Sequence, residues 1–259
     1  MICDATLPIL LKQLRLKNMH SSWQEVEQQA IQLKWTYPQY LTVLCNKEVS
    51  EREQQRIQNN VYDAKLPIGK TLDTFEFGKL TSIKAQQITA LTENTSWVKQ
   101  AHNLIIFGPS GVGKTHLAAA IGRRIVEQGM RVLFAKTTAL VQTLQRANNE
   151  HKLNDLLVKL SKFNLLILDD IGYVKKNEAE TNVLFELISD RYEAKSLLIT
   201  SNQPFDKWDE IFPNNIMAVA AIDRLVHHST IININEQSYR RASKIKGADN
   251  LFIDQEKGE

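Results

Sequence analysis

The segment Gly108-Pro109-Ser110-Gly111-Val112-Gly113-Lys114-Thr115 has the residue types and spacing that point most directly to chemistry. It fits the pattern G-x-x-x-x-G-K-[ST]. An apolar run, Asn103 to Phe107, precedes it and a helical run, His116 to Ile121, follows it. Glycines let the backbone curl until its N–H groups converge on a phosphate. A helix start adds a partial positive charge at the same place. Lys114 can reach the β- and γ-phosphates as a mobile point charge, and Thr115 offers a hydroxyl to Mg²⁺. The expected chemistry is binding of ATP with Mg²⁺, with Gly108 through His116 against the nucleotide.

Two further strand-like runs end in polar residues. Leu165 to Leu168 leads into Asp169 and Asp170. Open parallel sheets hold ligands at the carboxyl ends of their strands. There Asp169 would hold Mg²⁺ and Asp170 would orient the attacking water. An acidic pair in this position also suits a helix N-cap or a turn. Leu197 to Ser201 leads into Asn202, which can hydrogen-bond the attacking water or the γ-phosphate. Asn202-Gln203-Pro204 also reads as a turn. Arg224 lies in a helical stretch, 218–226, and three readings stand open. It is a surface residue, an ion-pair partner of Asp190, or an arginine finger that reaches a neighbouring subunit's ATP.

These residues need a scaffold, and the apolar pattern predicts one. Leu104–Phe107, Val132–Ala135, Leu165–Leu168, Leu197–Thr200 and Ile231–Ile234 read as buried strands. Helical periodicity lies between them, as over Leu117–Val126 and Val183–Tyr192. The fold class is therefore α/β: a parallel sheet of the P-loop NTPase kind, flanked by helices over 83–259. Residues 1–65 read as a small all-helical module for DNA or partner binding. Its signals are a stripe of Leu7, Leu10, Leu11, Leu14 and Leu16, and a capping box of Ser22 and Glu25. Thr36 and Pro38 open a third helix, extending through Ser50–Asn60. Residues 66–82 read as a linker, broken by Pro67, Gly69 and Gly78, that packs Phe75 and Phe77 onto the next domain.

Composition sets outer bounds. With 259 residues and 43% hydrophobic content, the chain can bury a sizeable core plus a smaller module. A net charge of +3 permits a nucleic-acid partner without requiring one. Cys3 and Cys45 lack metal or redox spacing and suit a reduced, cytoplasmic protein. No apolar run approaches the roughly 20 residues of a membrane span, and no secretory signal pattern opens the chain. Basic clusters at Arg240, Arg241, Lys244 and Lys246, and at Lys12, Arg15 and Lys17 on the first helix, can neutralise DNA phosphates or form a solvated face. No base-reading motif accompanies them.

The ordered set of motifs resembles the IstB-type ATP-binding helper proteins of insertion-sequence transposition, within the AAA+ class and close to the DnaC-type helicase loaders. The resemblance rests on Lys70-Thr71-Leu72 with Phe75 and Phe77, the phosphate loop through Ala118, Leu168 to Tyr173 and Thr200 to Phe205. Ile222 to His228 and Ser238 to Arg240 complete it. It implies ATP hydrolysis, assembly of several copies on double-stranded DNA with little sequence preference, and a helper role for the transposase of the same element. It also implies that Arg224 is the finger acting in trans and that Asn202 is the sensor-1 residue. Two departures stand out: Asp170 where many AAA+ proteins carry Glu, which implies slower turnover, and Gln237 where an acid is usual. The few residues after Arg241 leave little room for the helical lid of many AAA+ proteins. Arg240 or Arg241 would then meet phosphate or DNA. A helicase loader, whose partner is a replicative helicase, and a small-molecule P-loop kinase are the competing readings.

Overall fold

A computed structural model describes residues 6–79, 83–172, 177–208 and 215–235. The chain divides into two compact units, residues 1–59 and 60–259. Residues 60–79, which the sequence reading splits between the module and the linker, belong to the second unit. No helix among the described residues is long and apolar enough to cross a membrane.

The first unit is helical, built from α1 (Leu7–Gln13), α2 (Lys17–Gln32) and most of α3 (Tyr37–Asp63). Leu11, Met19, Val26 and Leu44 form its core, with Trp23 and Trp35 packed against them. Of the leucine stripe, Leu11 is buried, whereas Leu7, Leu10 and Leu14 are exposed. Ser22 and Glu25 do not start a helix. α2 is already under way at Lys17, and the Ser22 hydroxyl donates back to Asn18 O (2.7 Å). Thr36 does precede α3, its N–H donating to the Gln39 side chain (2.8 Å). Lys12 lies in α1, but Arg15 sits in the turn after it with φ 58° and Lys17 opens α2, so these cations do not share one helix.

What starts α2 is a distant acid. Glu48 is buried, and its carboxylate accepts the backbone N–H groups of Asn18 (2.8 Å) and Met19 (3.0 Å). It also accepts from Arg52 Nε (2.6 Å), whose other nitrogen donates to Arg15 O. Burial alone would raise the Glu48 pKa, but the donors from Met19, Arg52 and Asn18 outweigh it and hold it below the usual value.

In the second unit, a five-stranded parallel sheet runs in the order β2-β3-β4-β1-β5. The strands are β1 (Asn103–Phe107), β2 (Val132–Lys136), β3 (Leu165–Asp169), β4 (Ser196–Ser201) and β5 (Ser229–Asn233). Successive residues alternate between two cores. Leu104, Ile106, Leu165, Ile167 and Leu198 face one side. Ile105, Phe107, Leu166, Leu168, Leu197 and Ile199 face the other. Burial on both faces explains why these strands read as continuous apolar runs. The first core is covered by α4 (Ala85–Glu93), α5 (Ser96–Lys99), α6 (Lys114–Glu127) and residues 61–77. Against the second pack α7 (Thr137–Asn149), α8 (Leu153–Leu160), α9 (Glu178–Arg191) and α10 (Asn215–His227). Phe75 and Phe77 do pack on the first core, edge to face with centroids 4.7 Å apart.

Arg191, 1% exposed, ties the helical layer to the sheet. It donates to the carbonyls of Leu160, Phe163 and Ser196 at 2.8–3.1 Å. Burial lowers its pKa to about 10, against the opposing charge of Asp190, so it remains a cation at neutral pH.

Because the folded Glu48 pKa lies below its unfolded value, the carboxylate adds stability above the unfolded pKa and loses it as pH falls through the folded one. Glu48→Gln should cost about 1–3 kcal/mol in urea unfolding at pH 7. The gap to wild type should narrow below the ordinary carboxylate range, and an equal gap at all pH values would rule out the ionised cap.

Candidate nucleotide-binding site

β1 ends at Phe107 and the chain turns at once into the loop 108–113. Gly108 has φ 153°, and a Cβ there would lie 2.5 Å from Ile234 O, so only glycine fits between the loop and the end of β5. Gly113 is the left-handed N-cap of α6 with φ 101°, and the Phe75 ring edge sits 3.2 Å from where its Cβ would be. The loop thus delivers its backbone N–H groups and the start of a 14-residue helix to one point. Lys114 is 7% exposed and donates to Gly108 O (2.7 Å) and Pro109 O (2.9 Å), keeping the ammonium under the loop.

Next to Lys114, three elements meet at one carboxylate. Asp169, 4% exposed at the end of β3, accepts from the Thr115 hydroxyl (2.9 Å) and from the Thr200 hydroxyl of β4 (2.7 Å). Its backbone carbonyl accepts from Thr137 at the start of α7 (2.9 Å). Thr200 also receives the Asp170 N–H (2.8 Å). Asp170 has φ 64°, a left-handed turn that short polar side chains tolerate. The turn brings Asp170 to the wall of a cavity of about 390 Å³. Ser110, Gly111 and Gly113–His116 form one side of this cavity, and Lys70, Thr74, Phe75 and Glu76 the other. A hydroxyl and a carboxylate within hydrogen-bond reach form a hard-oxygen pair, which suits Mg²⁺ completed by waters and phosphate oxygens.

His116, on the first turn of α6, holds the far wall in place. Its Nε2 lies 3.0 Å from Thr71 O and 3.1 Å from Thr74 Oγ1, and its ring meets Phe75 edge to face at 5.2 Å. A carbonyl only accepts, so Nε2 carries the proton. Burial lowers the His116 pKa, the Lys70 charge adds to that, and the Thr71 carbonyl opposes it.

Asn202 follows β4, and β4 pairs directly with β1, Ser201 beside Phe107. Ser201 O accepts from the Gly108 N–H (3.3 Å), so Asn202 is one residue from the loop. Its Oδ1 is buried with no hydrogen-bond partner. Neither Asn202 nor Arg224 lines the cavity. Arg224 does not pair with Asp190; it donates to Ala220 O (3.2 Å) and lies 4.9 Å over the Phe185 ring. Gln237, the Ser238–Arg240 segment, Arg240, Arg241, Lys244 and Lys246 lie outside the described residues.

A family model for IstB-like ATP-binding proteins matches residues 9–247. The chain belongs to this IstB-like family. An insertion-sequence ATP-binding protein of Sinorhizobium fredii is 46% identical over 245 residues, covering 95% of this chain and 82% of the relative. The insertion sequence IS21 ATP-binding protein of Pseudomonas aeruginosa is 37% identical over 240 residues, covering 93% and 90%. Among solved structures, the DnaC helicase loader superposes with TM-score 0.55 at 20% identity, covering 64% of this chain and 97% of that one. AMPPCP-bound DnaA from Aquifex aeolicus gives 0.54 at 21%, covering 66% and 51%. These two likenesses concern the fold alone.

In this IstB-like chain, several site residues carry no signal of their own in sequence. Thr200 lies near the end of a strand and Thr137 at the start of a helix, positions where a threonine is ordinary. Lys70, Thr74 and Glu76 reach the cavity from a stretch whose residue pattern reads as a linker and contributes to the family resemblance without marking these side chains as site residues. The position of Thr200 directly before Ser201-Asn202, on a strand ending beside the loop, was the available clue.

Thr200→Val keeps the shape but removes the donor to Asp169 and the acceptor for Asp170 N–H. Chemical denaturation should show a loss of about 1–3 kcal/mol, recovered by Thr200→Ser. No loss in the valine variant would mean that this hydroxyl does not tie β3 to β4.

Proposed function

We propose that this chain binds ATP with Mg²⁺ and hydrolyses it, and that nucleotide binding drives assembly of several copies on double-stranded DNA. In that state it assists the transposase of its own insertion sequence. The observation that carries the reading is the convergence of Lys114, Thr115 and Asp170 on one cavity beside the glycine loop, with Asp169 hydrogen-bonded to Thr115 directly behind it. The names of the relatives, given for insertion sequences and ATP binding, favour this reading over a helicase loader or a small-molecule kinase.

Each residue has a physical task. The loop N–H groups from Gly108 to Gly113 and the start of α6 attract the phosphates. Lys114 exchanges its carbonyl acceptors on Gly108 and Pro109 for phosphate oxygens, which hold a cation more strongly. Thr115 and Asp169 would hold Mg²⁺, which neutralises charge on the phosphate oxygens when bound. Asp170, on the cavity wall, accepts a hydrogen bond from the attacking water and takes its proton. Asn202 offers its buried amide to that water or to the γ-phosphate. Arg224, absent from its own cavity wall, serves the cavity of an adjacent copy, stabilising the charge that develops on the transferring phosphoryl group.

Lys114→Ala should weaken ATP binding roughly 10- to 100-fold, the scale of one or two charged hydrogen bonds. Asp170→Asn should keep binding and slow hydrolysis by about 100-fold or more. Equilibrium binding of a fluorescent nucleotide and phosphate release separate the two effects. Undiminished binding in the first variant would remove the cradle assignment, and normal turnover in the second would require another base.

The trans role of Arg224 is tested by mixing. Arg224→Ala and Asp170→Asn are each expected to be nearly inactive alone on duplex DNA. Mixed, they should recover activity, because Asp170→Asn subunits lend an intact Arg224 to neighbours with an intact Asp170. A mixture no more active than its components refutes action in trans.

A further inference from the structure

Imidazoles and a carboxylate meet at the edge of the sheet opposite the phosphate loop. β1 and β5 run parallel with Asn103 beside Ser229, so His102 and His228, one residue earlier in each, are neighbours. The Asn103 N–H donates to His228 O (2.7 Å), and the two rings stack at 5.4 Å with 6° between their planes. On a continuing helix His227 and His228 would point about 100° apart. Instead α10 ends at His227 and the chain enters β5 at Ser229, which leaves the two rings 4.1 Å apart. Glu193, in the turn between α9 and β4, has φ 55°. One ligand atom from each of Glu193, His227 and His228 lies within 4.8 Å of the others, and all three residues are exposed.

We propose that Glu193, His227 and His228 form a binding site for a divalent transition-metal ion of the zinc class. Two imidazoles and one carboxylate are the mixed nitrogen–oxygen set that such ions prefer, whereas Mg²⁺ and Ca²⁺ take oxygen ligands. Bonds of about 2.0–2.1 Å place neighbouring ligand atoms about 3.3 Å apart around a tetrahedral ion. Exposed side chains can close to that spacing by small rotamer shifts. The Tyr192 hydroxyl lies 2.9 Å from His227 Nδ1. That contact orients the ring and leaves Nε2 for the ion, the usual outer-partner arrangement. Tyr192 is thus a positioning residue. A bound ion would link the end of α10, one turn beyond Arg224, to the α9–β4 turn. The proposal does not rest on the nucleotide reading, since the site lies at the other edge of the sheet.

The test uses the full chain, stripped with a chelator, then titrated with Zn²⁺ against a chromophoric zinc indicator and followed by thermal unfolding. Wild type should take up about one ion per chain and melt at a higher temperature with Zn²⁺. Glu193→Gln and His228→Gln should each weaken binding by roughly tenfold or more and remove most of the shift. Tyr192→Phe should weaken it by about tenfold, and His151→Gln, outside the cluster, should change nothing. Far-ultraviolet circular dichroism and a cooperative melt of each metal-free variant show that it is folded. If a ligand variant fails to fold, Co²⁺ added to wild type decides: intense visible bands of a tetrahedral site support the proposal and their absence overturns it. Zinc affinity and melting shift unchanged in both Glu193→Gln and His228→Gln would overturn it as well.

Discussion

The ligand end of the sheet depends on the buried carboxylate of Asp169. Its oxygens take hydroxyl hydrogen bonds from α6 through Thr115 and from β4 through Thr200, while its backbone carbonyl takes one from α7 through Thr137. Burying a carboxylate is costly unless donors surround it. That requirement fixes how α6, β3 and β4 meet. The acid that would help to hold a metal ion also sets the geometry between the helix that bears the loop and the strand that bears Asn202.

The second constraint is close approach. The loop lies so near the end of β5 that a side chain at Gly108 would collide with Ile234 O, and Phe75 rests against Gly113. The stretch from Lys70 to Glu76 becomes a wall of the cavity because His116 bonds to Thr71 O and Thr74 Oγ1 and its ring meets Phe75. A segment without regular structure thus gains its place from helix α6. The same region supplies the motif at 70–77 that helps to mark the family resemblance.

Strand pairing organises both edges of the sheet. At the carboxyl ends, β4 between β1 and β3 brings Ser201 to the Gly108 N–H and Thr200 to both aspartates. At the amino ends, the register of β1 against β5 stacks His102 on His228. Arg191 ties the helical layer to the start of β4 through backbone carbonyls, whose oxygens satisfy the buried cation.

The α/β class was legible in the chain's apolar pattern, because strands buried on both faces need unbroken apolar runs, and all five runs became strands of one parallel sheet. The loop between β1 and α6 was legible too, since glycines at that spacing meet a local backbone requirement, seen in the positive φ of Gly108, Gly111 and Gly113. Local patterns misled where a distant partner decides. Ser22 and Glu25 have the spacing of a helix start, yet α2 begins earlier because Glu48, 29 and 30 residues along the chain, caps Met19 and Asn18. Three leucines of the first stripe stay exposed, because periodicity gives a face but not what covers it. The strand order, the hydroxyls of Thr137 and Thr200 on Asp169, the wall from Lys70 to Glu76, and the meeting of Glu193 with His227 and His228 emerge from the folded chain. Each of these joins residues brought together by strand order and helix packing, and no spacing along the chain encodes that.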